Sequence, residues 1–357
     1  MQTESNQLDF SGQVFYVGLD VHKKNWLVSI RNNQKELKRF SMNPSPYELS
    51  GYMHHHYPGG SYVSAYEAGF CGFWIHRALE QNGFENLVIH APDIPTTDKE
   101  KQNKSDKIDT GKISRELENN SVKSIYIPDP LHEQLRSLCR LRYKAKQNEI
   151  RVKNRIKGHL YFYGIEIPPH EQIPHWSKRF NQWLQSLEFS HQSAKAYLDF
   201  CIEELEQHRK RSAQIIKILR GHLKAAELSE LIRLLRSVPG VGLISSLTIY
   251  TEVINMDRFA TFDQLKSYFG LAPSVEGSGD NILVKGLSNR RNRYLRHLII
   301  EAAWVAIRKD PALLQAYNKL TQRMKAQDAI VRIAKKLLSR IRYVWKNQKE
   351  YVAAVVE

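Results

Sequence analysis

Four carboxylates in the first third of the chain have the types and positions that metal-assisted phosphoryl transfer needs. Asp20 sits near the end of the apolar run VFYVGLDV, Glu67 closes SYVSAYE, and Asp106 and Asp109 stand three apart in KSDKIDTGKISREL. The first two fall at strand ends, and residues at i and i+3 share one helix face. Mg²⁺ is a hard ion that takes oxygen ligands and keeps waters, and two such ions can clamp the attacking and leaving oxygens of a phosphodiester. Clustering like charges is costly when no cation offsets them. The same spacing also suits a plain solvated helix face, since Lys104, Lys107 and Lys112 flank the pair.

A second set lies in the last third. Ser278 stands between Gly277 and Gly279, which leaves its hydroxyl open to a large substrate. A serine nucleophile needs a base, cations or a metal near the scissile bond, and Lys285, Arg290, Arg291, Arg293 and Arg296 follow in sequence. The alternative is an ordinary turn serine. In SVPGVGLISSL, Gly240 and Gly242 allow backbone N–H groups at the start of a helix to approach phosphate oxygens, in the manner of a helix-hairpin-helix element. A tight helix-to-helix turn without a ligand would read the same way.

The elements that must carry these residues follow from periodicity. VFYVGLDV, WLVSIR and LKRFSM read as a meander of strands. PSPYELSGYMHHHY reads as a helix, SYVSAYE as a strand, GFWIHRALEQNG as a helix with a glycine stop, and NLVIHAP as a further strand. The pattern predicts a mixed α/β sheet covered by helices over residues 1–125. Prolines in YIPDP punctuate the chain before a long helix over 131–163 that carries nine Lys or Arg against two Glu. A second long helix over 190–223 can pair with it as a helical hairpin of coiled-coil character, giving a middle region over 126–228. Residues 229–357 read as an α-rich C-terminal domain that ends in helices from Asn292 to Lys309 and from Pro311 to the C-terminus. The run His54–His56 reads as an exposed helix end, because consecutive residues cannot all face one way on a helix. Cys71, without a partner histidine at a recognisable spacing, reads as a small packed residue.

Composition narrows the partners. The formal charge is +16 with a pI near 9.6, and such a surface attracts polyanions. The first 123 residues carry 14 Lys and Arg against 15 Asp and Glu, so the whole excess lies in the remaining two thirds. Cys71, Cys139 and Cys201 show no CxxC spacing, which argues for a reducing compartment and against structural zinc. No signal peptide or membrane-length apolar run is apparent, so the expected location is the cytoplasm, in association with a prokaryotic nucleoid.

The ordered series GLDVHKKNWLVSI, EAGFCGFWIHRAL, KSDKIDTGKIS, VPGVGLISSLTIYTEV, RFATFDQLKSYFGLAP, GSG and NRYLRHLIIEAAW resembles the DEDD transposases of the Piv-invertase and insertion-sequence one-ten class. The resemblance covers nearly the whole chain. It implies an RNase H-like, RuvC-like N-terminal domain whose Asp20, Glu67, Asp106 and Asp109 hold Mg²⁺ or Mn²⁺, and a C-terminal domain whose catalytic serine is Ser278. It further implies a phosphoserine link to double-stranded DNA, a structured guide RNA in the insertion-sequence branch, and a homodimer that assembles to a tetramer on DNA. Members commonly carry Ser-Ser-Gly where Gly277-Ser278-Gly279 stands, and alanine where Thr110 stands. Two rivals are a metal-only nuclease resembling a Holliday-junction resolvase, and a non-catalytic nucleic-acid binder. The second would not be expected to keep all five chemical positions filled.

Overall fold

The run VFYVGLDV forms β1 (Val14–Val21), in a computed structural model that describes residues 8–95, 106–223, 226–276, 283–288 and 291–353. β2 (Trp26–Asn32) and β3 (Lys35–Met42) complete the expected meander, while β4 (Ser61–Glu67) and β5 (Phe84–Ile89) extend the sheet on the other side. The strand order is β3-β2-β1-β4-β5. Pairing is antiparallel from β3 to β1 and parallel from β1 to β5. The charged, exposed β3 closes one edge, where lysine and arginine discourage pairing with another chain.

Alternation along β1 decides which helix covers which face. Phe15, Val17 and Leu19 point into a core with Leu49 and Met53 of α1 (Pro46–His56) and with Ile75 and Leu79 of α2 (Trp74–Gln81). Ser45 caps α1, accepting from the Glu48 N–H, and the three histidines form the exposed last turn. Cys71 is half-buried, and burial pushes its thiol pKa up. The opposite face of the sheet packs against α3 (Asp106–Glu118), whose Ile113 and Leu117 meet Ala65 and Ile89. Gly18 lets this helix come close: a Cβ at Gly18 would stand 2.4 Å from the Thr110 carbonyl oxygen and 2.7 Å from the Ser114 nitrogen.

The chain divides into two compact units, Met1–Ile127 and Pro128–Glu357. The second begins with α4 (Pro130–Phe162), capped by Asp129. α6 (Gln192–His222) runs back along it: Arg155 pairs with Glu204, and His159 Nε2 lies 2.9 Å from the Ala194 carbonyl. Between them lies α5 (Lys178–Ser186), a helix too short for periodicity to reveal. It inserts Phe180 and Leu184 among Val152, Ile156, Leu160 and Leu198.

The last part of this unit contains α7 (Ala226–Ser237), α8 (Leu243–Val253), α9 (Phe262–Tyr268), α10 (Arg293–Ala306), α11 (Pro311–Thr321) and α12 (Ala326–Asn347) around one apolar core. Two expectations need correction. The single helix expected from Pro311 to the C-terminus is α11 and α12, separated by a turn. Leu313 and Leu337 reach the same core, whereas one straight helix would set them about 36 Å apart. The stretch around the glycine-flanked serine also contributes strands, β6 (Pro273–Glu276) and β7 (Leu283–Leu287), paired antiparallel. Among the described residues, no helix is long and apolar enough to cross a membrane.

The close approach at Gly18 makes a stability prediction. Gly18→Val should lower the unfolding free energy by about 1–3 kcal/mol, the usual cost of overpacking, as measured by urea denaturation. An unchanged midpoint would show that α3 does not press on β1 there.

Candidate catalytic site and its supports

Within the first unit, strand register and helix direction bring carboxylates to one edge of the sheet. β1 and β4 pair from Val14 with Ser61 through Leu19 with Tyr66, so the next position along sets Asp20 beside Glu67. Tyr16 and Gly18 share their face with Val63 and Ala65, the face that α3 covers, and side chains two apart on a strand point the same way. Asp20 and Glu67 therefore project on the α3 side, at the carboxyl ends of their strands.

α3 runs opposite to β1. Ser114 Oγ lies 2.9 Å from Ser29 Oγ, beside Gly18. One turn later, Glu118 accepts from Arg31 Nε and from the Gln34 N–H, near the start of β1. The amino end of α3 thus points toward Asp20 and Glu67. Five residues of helix from Ser114 back to Asp109 rise about 7.5 Å, and two residues of strand from Gly18 to Asp20 rise about 6.6 Å. Asp109 is consequently nearly level with Asp20, and it lies four residues before the sheet-facing Ile113.

Asp20 keeps 23% of its side-chain surface exposed, and one carboxylate oxygen lies 3.1 Å from His22 Nε2. Glu67 is exposed and Asp109 is half-buried. Asp106 opens α3, but its side chain lies outside what is described. Among the described residues, no group of three or more His, Cys, Asp or Glu side chains is gathered closely enough to hold a metal ion. Asp20, Glu67 and Asp109 nevertheless offer carboxylate oxygens, the kind that suits Mg²⁺ or Mn²⁺ and not a soft, thiolate-seeking metal.

In the second unit, Ser278 and Arg290 lie outside the described residues, as does the side chain of Lys285 on β7. Gly240 has φ +83°, and a Cβ there would stand 2.1 Å from the Ala302 carbonyl oxygen, so this glycine serves a tight crossing of the turn over α10. Gly242 caps α8, with nothing within 4 Å of a Cβ position. Arg291 and Arg293 are exposed at the start of α10, and half-buried Arg296 lies one turn on.

A buried acid that the sequence did not single out holds this end of α10. The Glu252 side chain is fully buried and accepts from Arg140 Nε and Nη2 at 2.7 and 2.8 Å. Asn292 Nδ2 also donates to Glu252, at 2.8 Å, while Asn292 Oδ1 caps α10 by accepting from the Tyr294 and Leu295 N–H groups. The Tyr268 hydroxyl donates to the Glu252 carbonyl. Burial works against the Arg140 charge, but its bonds to Glu252 prevail and raise its pKa; burial pushes Arg136 down despite the nearby Glu252. The only sequence signal was a lone acid in the apolar stretch LISSLTIYTEV. Arg140→Met should cost about 1–3 kcal/mol of stability in urea unfolding, because the fully buried Glu252 carboxylate loses its partly exposed charged partner and keeps only the Asn292 bond. A cost below about 0.5 kcal/mol, the scale of a surface substitution, would show that Glu252 does not depend on it.

Comparisons with known proteins agree across both units. Residues 17–165 match the DEDD-type transposase model of the IS110 group, and residues 232–318 match the model described as "Transposase IS116/IS110/IS902 family". The chain is 27% identical over 241 residues to y4qE of Sinorhizobium fredii, which carries a provisional transposase name. That match covers 67% of this chain and 57% of y4qE. It is 25% identical over 213 residues to the transposase for insertion sequence element IS1111A of Coxiella burnetii, covering 58% of this chain and 56% of that protein. The chain thus spans little more than half the length of these two relatives. With two transposase models matched in order along the sequence, the chain belongs to the IS110 family of transposases.

Proposed function

We propose that this protein cuts and rejoins double-stranded DNA, using Ser278 as the nucleophile and Asp20, Glu67, Asp106 and Asp109 as a metal-holding set. The observation that carries the reading is the single sheet edge shared by Asp20, Glu67 and the amino end of α3. The strand order, with an antiparallel meander continued by two parallel strands, supports an RNase H-like reading of this unit. Bound Mg²⁺ or Mn²⁺ would supply charge stabilisation for the phosphate oxygens.

The Ser278 oxygen bonds to phosphorus and gives up its proton. The bond from phosphorus to one deoxyribose oxygen breaks, and that oxygen takes up a proton. A deoxyribose hydroxyl from another strand then reverses the exchange. One phosphate ester replaces another at each step, so rejoining needs no external energy source. His22, next to Asp20, would orient that carboxylate.

The surplus of positive charge in the second unit supports a polyanionic partner there, and a structured guide RNA would meet the same cations as DNA. Self-association is supported by the far end of α4, where Tyr161 and Phe162 are 88% and 80% exposed, and by Phe200 of α6 at 72%. Exposed aromatic clusters of this kind mark interaction surfaces.

On a suicide DNA substrate, Ser278→Ala should abolish the covalent protein–DNA adduct, and Asp20→Ala should reduce its formation at least about 100-fold, the scale of losing a group that stabilises transition-state charge. If Ser278→Ala still cuts DNA while Asp20→Ala does not, the metal-only nuclease is the correct reading. Phe162→Asp should shift sedimentation toward the monomer without changing the circular dichroism spectrum.

A further inference from the structure

A groove of about 880 Å³ runs between α4 and α10, within the second unit. Its described walls carry five cations: Lys144 and Arg151 from α4, Arg291 just ahead of the α10 cap, and Arg293 and Arg296 from α10. Among the described residues, no aspartate or glutamate lines it. Burial, together with the neighbouring Arg291, lowers the Arg296 pKa. Cations crowded without an acid gain free energy when an anion settles among them.

The groove also holds aromatic side chains, and these narrow the kind of anion. The Tyr143 ring meets Tyr294 edge-on at 5.0 Å, with His297 6.3 Å away. Tyr294 is backed by the Arg140 guanidinium at 5.0 Å, which Glu252 holds in turn. This makes a fixed platform with amides of Gln147 and Asn148 nearby. A duplex hides its base faces in its own stack, so rings set among phosphate-binding cations gain little from it. An unpaired strand offers phosphates and open base faces together. The volume falls in the range of roughly 300–1,000 Å³ typical of sites for small ligands, which suits a few nucleotides better than a double helix.

The groove opens beside the β6–β7 hairpin. The Ser288 N–H donates to the Ala272 carbonyl, closing the base of the hairpin, and Arg296 Nη1 on the groove wall donates to the Ser288 carbonyl at 3.4 Å, which ties that base to α10. We infer that this groove seats an unpaired stretch of the DNA strand flanking the scissile phosphate, with its phosphates on the five cations and a base against Tyr143. The inference rests on the proposal that the serine chemistry takes place on DNA.

The test uses the full chain with a short fluorescein-labelled oligothymidylate, a blunt duplex and the matching oligouridylate, read by fluorescence anisotropy over a salt series. Lys144→Glu combined with Arg293→Glu should weaken oligothymidylate binding about tenfold or more and reduce the salt slope by about 1.4, at roughly 0.7 per phosphate for single strands. Tyr143→Leu should weaken it about 5- to 100-fold, the scale of one lost base stack, with the slope and duplex binding unchanged, and Tyr143→Phe should retain it. Lys210→Glu with Lys217→Glu on α6, an equal charge change elsewhere, should leave it nearly unchanged. Equal losses from the α6 pair, no effect of Tyr143→Leu in a folded protein, or tighter binding of oligouridylate would each overturn the inference. Ser278→Ala should bind as the unaltered chain does, so failure here is distinguishable from failure of the serine mechanism.

Discussion

The first unit depends on a contact with no side chain on one side of it. Gly18 admits the backbone of α3 to within a distance that a single Cβ would forbid, and this contact sets the height of the helix over β1. The hydroxyl pair Ser29 and Ser114 and the Glu118 bonds to Arg31 and Gln34 then fix its direction. With height and direction set, the amino end of α3 has one place to go, the sheet edge where Asp20 and Glu67 lie. Three like charges there are tolerable because each keeps contact with solvent or a polar neighbour, and a divalent cation would offset them.

The second unit solves a comparable problem with charge. Glu252 is buried on α8, and its carboxylate ties α4 through Arg140 to the cap of α10 through Asn292. The arginine-bearing start of α10 is thereby held at a set distance from α4, and the basic groove between them is the space this tie leaves. Gly240 contributes at the other side of α10, where its turn lies on the Ala302 backbone. A glycine that the sequence suggested for phosphate contact thus has a packing duty.

Much of this was legible in the sequence because strong local patterns coincide with the elements. The strands ending in Asp20 and Glu67, the helix carrying Asp106 and Asp109, and the two long helices all appear close to where periodicity set them. What escaped was decided by distant partners. The hairpin of β6 and β7 is short, and its strands are stabilised by each other. The break between α11 and α12 has no proline or glycine to announce it, and it follows from the need of both helices to reach one core. Glu252 reads as an ordinary acid until Arg140, 112 residues away, is brought to it by folding. The groove has the same origin: one wall was visible as an arginine-rich helix start, but its facing wall on α4 was dispersed among nine basic residues.

The proposed divalent-cation site would form where β1, β4 and the amino end of α3 meet. It can be tested by loading the protein with Fe²⁺ in place of Mg²⁺ and generating hydroxyl radicals at the bound ion, with backbone cuts mapped by mass spectrometry. A site there should give cuts grouped around residues 20, 67 and 106–109, suppressed by excess Mg²⁺ and lost in Asp20→Asn. Cuts grouped elsewhere, or a pattern indifferent to Mg²⁺ and to Asp20, would contradict it.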